Sequence, residues 1–445
     1  MAAPVLMIQT TYAELLERCA AVAFDAAFAE DGTFTPKTIK GRRYWYFQIQ
    51  TPAGRSQRYV GPETPELLEQ IAHHKRSRDD ERERRSLVST LVRSFNLPRP
   101  IPLIGEIVSA LADAGVFRLR GVLIGTVAYQ TYPAMLGTAL PSALLQTSDV
   151  DIAQFTNVSI AVGDNSPPML EVLKKVDASF REVPHTKSPR WTTSYIAKAG
   201  IRVDFLTPNE GADSDDPQTL PALQTDAQPL RFMDFLIHAP VHAVVLHGAG
   251  ICVEVPSPER FAIHKLILAQ RRTSGVPKRD KDLMQASALI GVLSQKQAGE
   301  LKMAWDEAYG RGPTWRRLLL AGTAAIDAPN RDLLLKIVGR ARNILPAMEL
   351  SFGSSTVRYD SNRDVVTFSG EAFGAPVECA VSREAMEDYF GANGLGKDGR
   401  VQAFLRSRSR IEEMTRTKYL SCPIEEINSV LLRTIDVERL RRPGI

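Results

Sequence analysis

The sequence predicts an α+β fold class, because strand patterns and helix patterns fall in different stretches of the chain. Runs rich in β-branched and aromatic residues lie at about 38–60 and again from about 356, whereas about 280–348 has the periodicity of a helical bundle. Over about 103–290, strand and helix patterns are mixed. We therefore expect a mixed sheet, a helical bundle and two smaller modules.

Changes in composition along the chain predict four domains. Residues 1–100 would hold a helix, a basic and aromatic β meander and a charged helix, and residues 101–290 would form the mixed domain of strands and helices. Residues 291–350 would be the bundle, and residues 351–445 a small α+β domain. The segment LPRPIP at 97–102 separates the first two domains, since its prolines prevent a continuous helix.

Periodicity and turn residues predict the elements of the first domain. A helix over Tyr12–Phe28 precedes the meander, whose turns lie at Lys40-Gly41 and Pro52-Ala53-Gly54. The strands of the meander are Thr38–Ile39, Tyr44–Gln50 and Arg58–Val60. A long polar helix, Pro65–Phe95, follows, and its mixed charges are typical of a solvated surface.

In the mixed domain, apolar runs bounded by turn residues predict further strands and helices. The helices are Ile104–Ala114, Val127–Tyr132 and Leu170–Val176, and another begins at the Ser257 cap. The strands are Arg118–Ile124, Asp149–Ala153, Ser159–Val162, a hairpin of Thr193–Lys198 with Ile201–Leu206, Val241–Leu246 and Ile251–Val255. The polar, proline-rich stretch 208–229 is expected to be a loop, and the last domain is expected to contain helices Arg383–Phe390 and Val401–Tyr419.

Composition excludes several classes of protein. The 445 residues are enough to bury a large core without disulfides, and no apolar run approaches the roughly 18 residues that a membrane span needs. The first residues lack the pattern of a secretory signal. Four scattered cysteines form no paired motif, which favours a reducing cytoplasm over a disulfide or zinc framework. The net charge of +4 permits a nucleic-acid or nucleotide partner without requiring one.

The candidate chemistry lies in three short motifs of the mixed domain. Asp149 and Asp151 lie two residues apart in a predicted strand, so both carboxylates would point to one face. Asp204 lies in the apolar run IRVDFL, where a charge is costly unless it is paired or bound to a metal. Converging carboxylates suit Mg²⁺. Gly125-Thr126, between a strand and a helix, would offer main-chain N–H groups and a hydroxyl to a phosphate.

Each motif alone has an ordinary structural interpretation, but their order along the chain is specific. Together, RGVLIGTVAYQTYPAMLG, TSDVDIAQF and IRVDFL resemble the nucleotidyltransferase superfamily with the DNA polymerase β-like palm, and most of all its AbiEii-type and uncharacterised bacterial members. Two departures from the pattern are Thr126 in place of the commoner Ser and the inserted segment PAMLGTALPSALLQT before the aspartates. The resemblance covers about residues 100–290 and implies a mixed-sheet palm.

The resemblance also extends to two later motifs. SPERFAIHKLILAQRR (257–272) resembles the family's helix with a nucleotide-contacting lysine, here Lys265. KRDKDLMQA (278–286) resembles its basic-acidic motif, with Asp282 as the best match and Asp280 as the second choice. The alternative for Lys265 is a surface lysine whose stem packs while its ammonium stays in water. As a nucleotide contact, Lys265 should lower transfer by about ten-fold or more when it is changed to Ala, and stability should stay almost unchanged, within about 0.5 kcal/mol.

What the resemblance implies is transfer of NMP from an NTP to an RNA end, with tRNA as the expected acceptor. Asp149, Asp151 and Asp204 would hold Mg²⁺ (or Mn²⁺), and Gly125, Thr126, Lys265 and Asp282 would contact the nucleotide. The AbiEii-type likeness further implies a toxin or phage-defence role and an antitoxin partner. Two rivals remain: transfer to protein hydroxyls (AMPylation) or to a small molecule, and a non-catalytic module that binds RNA or a protein partner.

The meander is the candidate for RNA binding, because basic residues alternate there with aromatic ones. The predicted contacts are Lys40, Arg42, Arg43, Trp45 and Arg58. The alternative is that the aromatic rings only fill the two faces of a small sheet. Residues 356–440, through VTFSGEAFGAPVECAVSREAMEDYF and FLRSRSRIEEMTRTKY, resemble the DUF1488 domain, from which no activity follows. The arginines of the second segment could contact RNA or form a solvated face.

Overall fold

The computed structural model describes residues 5–27, 32–39, 42–51, 54–73, 81–141, 144–209, 211, 214–272, 276–339, 350–353, 356–372, 375–421 and 429–441. The chain folds as two compact units, Met1–Phe261 and Ala262–Ile445. The α+β fold class is confirmed, because helices accompany both antiparallel and mixed sheets. Lys40, one of the predicted RNA contacts, lies outside the described residues, as does Cys422.

The first unit begins with a helix and the predicted antiparallel meander. These elements are α1 Val5–Ala27, β1 Gly32–Ile39, β2 Arg42–Thr51 and β3 Gly54–Pro62, with the strands in sequential order. One face of the sheet buries Phe47 and Ile49 against Phe24, Phe34 and Val60. Apolar packing on this face is therefore what holds the meander to its helix.

The long polar helix predicted over Pro65–Phe95 has a different form in the described residues. It comprises α2 Pro65–His73 and α3 Glu81–Ser89, and a π-helical turn, Thr90–Ser94, follows α3. The side chain of Leu91 in that turn is fully buried, and Val88 is nearly so. Tertiary packing against α1, rather than solvation, therefore fixes the end of this segment.

The central sheet of the first unit carries the candidate site. Its strands are β4 Val122–Ile124, β5 Asp149–Ala153, β6 Arg181–Glu182, β7 Ser194–Ile196, β8 Arg202–Pro208, β9 Gln218–Leu220 and β10 Thr225–Leu230. They run in the order β4-β5-β8-β10-β9, with β7 also paired to β8 and β6 to β7. The pairs β5·β8 and β8·β10 are parallel, whereas β4·β5, β7·β8 and β9·β10 are antiparallel. The sheet is therefore mixed, as predicted.

Helices and a separate hairpin complete the first unit. The helices are α4 Pro102–Asp113, α5 Gly125–Tyr129, α6 Tyr132–Leu136, α7 Thr156–Ala161, α8 Met169–Val176 and α9 Met233–Leu236. The hairpin is β11 Val241–Val245 with β12 Ile251–Val255. The helix that follows it, α10 Pro258–Ala269, begins in the first unit and continues into the second. Tyr129, Tyr132 and Phe261 pack together, with ring centroids 5.2 to 6.1 Å apart. This aromatic cluster anchors α5 and α6.

Three predictions for the mixed domain are wrong. The strand predicted over Arg118–Ile124 is limited to β4, because Gly115 and Arg120 adopt left-handed φ values that turn the chain. Ser159–Val162 belongs to or caps α7 instead of forming a strand, and the Ser159 hydroxyl accepts a hydrogen bond from the Ala222 main-chain N–H. The stretch 208–229 is not only a loop, since it contains β9 and all but the last residue of β10. In the last of these places, pairing between strands overrides local composition.

The second unit contains the bundle and the C-terminal domain. Its first helices are α11 Val276–Lys296, α12 Ala298–Gly310, α13 Pro313–Ala325 and α14 Ala328–Ile337. The remaining elements are β13 Arg358–Asp360, β14 Val365–Ala372, β15 Ala375–Ser382, α15 Arg383–Tyr389, α16 Lys397–Arg406, α17 Arg408–Ser421, β16 Ser429–Leu432 and α18 Thr434–Arg441. The helix predicted over Val401–Tyr419 is therefore two helices, separated at Ser407. No helix among the described residues is long and apolar enough to cross a membrane.

Candidate active site

The central sheet brings the three predicted carboxylates to one face. In the parallel pair β5·β8, Asp151 is the partner of Asp204, and Asp149 is the partner of Arg202. Partners on neighbouring strands point to the same side of a sheet, and so do residues two apart on one strand. Asp149, Asp151 and Asp204 therefore share one side of the sheet, which we call the carboxylate face. All three residues are partly exposed.

Gly125 lies in direct contact with this face. It follows β4, whose last residue Ile124 is the antiparallel partner of Asp151. A Cβ atom built on Gly125 would come within 2.2 Å of the Asp151 Oδ2 atom, and the φ angle of Gly125 is +67°. Both the close approach and the left-handed backbone require glycine here. The half-buried Thr126 follows at the start of α5.

The segment inserted between Gly125-Thr126 and the aspartates is packed. It includes α6, which buries Tyr132 and Leu136. The Gln130 Nε2 atom donates to the Leu145 carbonyl over 2.6 Å, and the Asp149 main-chain N–H donates to the Thr147 hydroxyl over 3.1 Å. These two bonds fix the chain just before β5. The unusual length of the segment therefore leaves the pairing of β4 with β5 intact.

Asp204 has two polar neighbours that the sequence interpretation missed. Its Oδ1 atom accepts a hydrogen bond from Ser194 Oγ and another, 2.8 Å long, from Arg202 Nε. Arg202 Nη2 also donates to Ser194 Oγ over 3.0 Å. Ser194 is the antiparallel partner of Asp204 in β7·β8, so it lies on the same face. The spacing of Arg202 two residues before Asp204 was the signal that could have identified the arginine.

The donor atoms of the carboxylate face are of the type that Mg²⁺ and Mn²⁺ prefer, since both are hard cations. Their present arrangement is less complete. Within the described ranges, no group of three or more histidine, cysteine, aspartate or glutamate side chains is arranged to hold a metal ion. One oxygen of Asp204 is already bound to Arg202 and Ser194. The side-chain types on the face therefore suit a divalent cation, whereas the observed conformation of Asp204 serves its ion pair with Arg202.

Lys265 and Asp282, both predicted to contact the nucleotide, lie together in the second unit. Lys265 Nζ is 2.5 Å from Asp282 Oδ1, and Arg272 Nε is 2.6 Å from Asp282 Oδ2. The side chains of Lys265 and Asp282 are only 10% and 4% exposed. The expectation of a surface lysine is therefore wrong, because its charge is buried in what we call the Lys265 cluster: Lys265, Asp282 and Arg272. Asp280, the second choice for this motif, is exposed.

The Lys265 cluster shifts two protonation equilibria. Burial raises the pKa of Asp282, but the positive charges of Lys265 and Arg272 outweigh burial and leave this pKa below its ordinary value. Burial, together with the charge of Lys265, lowers the pKa of the neighbouring His264 to about 3. His264 is therefore neutral at physiological pH, which agrees with a structural role.

The predicted RNA contacts of the meander are divided between exposed and packed side chains. Arg42 is exposed and Arg58 is half-buried. Trp45 Nε1 donates to Glu63 Oε2 over 2.9 Å, and Arg43 Nε is 3.3 Å from the same oxygen. The rings of Tyr46 and Tyr59 pack edge to face and are nearly buried. Aromatic packing thus accounts for much of this sheet, while basic side chains remain at its surface.

The basic residues of the last domain are mostly committed to contacts within it. Arg408 binds Glu412 and the Gly353 carbonyl, and Lys418 binds Asp436. Arg416 pairs with Glu413 and lies over the ring of Phe352. Arg406 and Arg410 are exposed. These pairings support a structural interpretation of α17 over an RNA surface.

Comparison with known families agrees with the two resemblances. Residues 103–310 match the family model described as nucleotidyltransferase. Residues 350–432 match the model described as protein of unknown function (DUF1488). Neither the search of curated proteins nor that of solved structures gives a match. The nucleotidyltransferase match includes β4, β5 and β8, and therefore the whole carboxylate face.

Proposed function

We propose that this nucleotidyltransferase, with its family domain at 103–310, transfers NMP from an NTP to an RNA acceptor with the aid of Mg²⁺ or Mn²⁺. The observation that carries the proposal is the register of β5·β8, which puts Asp151 beside Asp204 on the face that also carries Asp149. Gly125 lies against the Asp151 carboxylate, so the turn that would bind the phosphates is next to the same face.

In this proposal the acceptor hydroxyl attacks the α-phosphorus of the NTP, the bond from that phosphorus to the bridging oxygen breaks, and pyrophosphate leaves. Asp149 and Asp151 would hold the cation, with Asp204 as the third ligand. When bound, the cation would neutralise charge on the triphosphate and make the acceptor hydroxyl easier to ionise. Asp204 would take up the hydroxyl proton as the new ester forms.

The Gly125-Thr126 turn would bind the phosphates. Its main-chain N–H groups and the Thr126 hydroxyl are donors, and the absence of a side chain at Gly125 allows the Asp151 carboxylate to lie against it. Lys265 and Asp282 remain predicted nucleotide contacts. Lys265 and Asp282 are buried in their ion pair, so Arg272 is the member of the Lys265 cluster whose side chain is partly exposed to solvent.

RNA is the acceptor we favour because the meander keeps basic side chains at its surface. Arg42 is exposed, and the Arg43 side chain is 52% exposed despite its contact with Glu63. Lys37 is also exposed, above the ring of Tyr46. Exposed cations on a small sheet can neutralise phosphates along a strand of RNA.

The deciding experiment supplies each α-³²P-labelled NTP, with Mg²⁺ or Mn²⁺, together with total cellular RNA and protein. We expect label in the RNA fraction, sensitive to ribonuclease, with the wild-type chain and none with Asp149→Asn. Label in protein would identify the AMPylating alternative, and label in neither macromolecule would direct attention to a small-molecule acceptor. Failure to consume any NTP would support the non-catalytic module instead.

The toxin or defence role implied by the family resemblance remains a separate prediction. Induced expression of the wild-type chain should arrest growth of a bacterial host, and Asp149→Asn should relieve the arrest. If the host grows normally with both chains, the toxin role is excluded, and the proposed chemistry is not affected. A growth arrest that both chains cause would point to an effect independent of nucleotidyl transfer.

A further inference from the structure

Arg202 lies among the carboxylates of the proposed site. It is the strand partner of Asp149 and precedes Asp204 by two residues, so its side chain belongs to the carboxylate face. Its guanidinium contacts Asp204 through Nε and Ser194 through Nη2, and Ser194 in turn donates to Asp204. A single carboxylate oxygen, Asp204 Oδ1, receives both the arginine and the serine. The three side chains thus form a closed hydrogen-bonded ring.

This ring uses the oxygen of a carboxylate that the proposed chemistry needs. The backbone register already places Asp204 beside Asp151, so its main chain does not have to move for the carboxylates to meet. Yet no set of three acidic or other metal-binding side chains in the described part of the chain is arranged around a point. Side-chain contacts, rather than the backbone, therefore keep the three carboxylates from forming a three-ligand site. Among these contacts, the ion pair of Arg202 with Asp204 is the charged one.

We propose that Arg202 and Ser194 form a latch that holds Asp204 while no divalent cation is bound and releases it when the cation binds. This inference rests on the proposed function. The guanidinium supplies at Asp204 the positive charge that otherwise comes from the cation. Release exchanges one cation for another at the same oxygen.

The exposure of the pair makes such an exchange feasible. The Arg202 side chain is 44% exposed and the Asp204 side chain 22%, so water replaces the contacts that the guanidinium gives up. Ion pairs of this kind contribute little net free energy. A buried pair would resist release, because each separated charge would lose its compensation without gaining water. Binding of a divalent cation to the face can therefore supply the small free energy needed to break the Arg202–Asp204 ion pair.

The test measures Mn²⁺ binding without nucleotide, by the electron paramagnetic resonance signal of free Mn²⁺. Asp149→Asn identifies which part of the binding belongs to the carboxylate face. We expect Arg202→Gln to bind this Mn²⁺ about three- to ten-fold more tightly than the wild type, since a competing and repelling charge is removed. Ser194→Ala should give a smaller gain, and the double variant should gain less than the product of the two. Arg202→Lys should stay near the wild type.

Arg181→Gln is the matched control, because Arg181 is an exposed arginine of β6 on the same sheet that makes no contact with Asp204. Equal or weaker Mn²⁺ binding by Arg202→Gln, with an unchanged control, would overturn the latch and leave the proposed function in place. If Asp149→Asn removes no Mn²⁺ binding from the wild type, there is no cation site on this face. The proposed function would then fail, and the latch with it.

Discussion

The carboxylate face and the Lys265 cluster both join acidic and basic side chains, but their environments differ. On the face, the Arg202 and Asp204 side chains are 44% and 22% exposed. In the cluster, the Lys265 and Asp282 side chains are 10% and 4% exposed, and two cations share one carboxylate. Each motif suggested a ligand-binding role from sequence. Exposure is what distinguishes a pair that can exchange partners from one that is part of the core.

The comparison predicts opposite responses to substitution. Removing a charge from the face should change chemistry and leave stability nearly intact, because water and neighbouring residues compensate. Removing a charge from the Lys265 cluster should first lower the free energy of unfolding, because its partner would remain buried and undercompensated. The experiments below run from the largest expected effect to the smallest, and each could reverse this assignment.

Asp149→Asn should lower the rate of NMP transfer by about 1,000-fold, since it removes a charged ligand while keeping the size of the side chain. The melting temperature should stay the same or rise, because one of three like charges on the carboxylate face is lost. Initial rates and thermal melts measure the two effects. Asp398→Asn, at an exposed position, is the control and should change neither. A large drop in melting temperature would place Asp149 among structural residues.

Lys265→Ala should lower the free energy of unfolding by about 3 kcal/mol, since it leaves the buried Asp282 with Arg272 alone. Urea unfolding followed by circular dichroism measures the change. Lys302→Ala is the matched control: Lys302 pairs with Asp306 at the surface, and its loss should cost less than about 0.5 kcal/mol. The double variant Lys265→Met with Asp282→Leu should be more stable than Lys265→Met alone, because it leaves no undercompensated carboxylate in the core. Equal stability of Lys265→Ala and the wild type would return the lysine to a surface role.

Gly125→Ala should lower the transfer rate by about 100-fold, because a methyl group 2.2 Å from Asp151 Oδ2 must displace that carboxylate. It should also cost about 1–2 kcal/mol of stability through the left-handed backbone. Gly200→Ala separates the two causes: Gly200 has a φ of +82°, and an added Cβ would meet nothing within 4 Å. This control should lose similar stability but keep its activity. If both variants are equally active, Gly125 does not position Asp151.

Lowering the pH from 7 to 5 should destabilise the protein through His264 by about 2 kcal/mol. The pKa of this buried imidazole is about 3 when folded, against about 6.5 when unfolded, so the unfolded chain binds the proton first. Stability is therefore lost as the pH falls below about 6.5. Urea unfolding measures the free energy of unfolding at both pH values. The difference between the two should be smaller for His264→Gln than for the wild type, and it should be unchanged for a substitution of the exposed His238.

The smallest expected effect concerns RNA affinity. Changing Arg42 and Arg43 to Ala should flatten the dependence of log K on log salt by about 0.7–0.9 for each phosphate that the variant no longer neutralises. Arg42 should contribute more, because Arg43 is shared with Glu63. Filter binding at several salt concentrations gives the slope. Arg363→Ala, at a surface pair with Glu378 in the last domain, is the control. An unchanged slope would leave these arginines as ordinary surface charges.

The sequence predicted the elements of the carboxylate face better than their surroundings. The bounds of Asp149–Ala153 were correct, because alternating carboxylates and apolar residues fit only a half-buried strand. Ser159–Val162 failed, since a short apolar run fits a helix as well as a strand. The strand β10 was missed because it has no apolar alternation, although Thr225 and Ala227 are buried and its end pairs with β8. Pairing between distant segments is not visible in local composition.

Side-chain partners were harder to predict than strands. The resemblance marked Lys265 and Asp282 separately, and only the packing of α10 with α11 shows that they bind one another. Trp45 was predicted as an RNA contact, and the hydrogen bond of its indole N–H to Glu63 was not foreseen. Arg202 passed unnoticed although it lies two residues before Asp204, because that spacing shows a shared face and not whether the two side chains bind one another. Burial and contact depend on the whole fold, and a motif reports neither.

The packed insert before β5 has a consequence for how such sites are searched for. Because Gln130 and Thr147 secure the chain at its far end, the number of residues between Gly125 and Asp149 is free to vary while the two strands stay paired. A motif definition with a fixed gap would therefore reject chains that build the same site. A definition based on strand partners, with glycine following the residue opposite the second aspartate, would retain them.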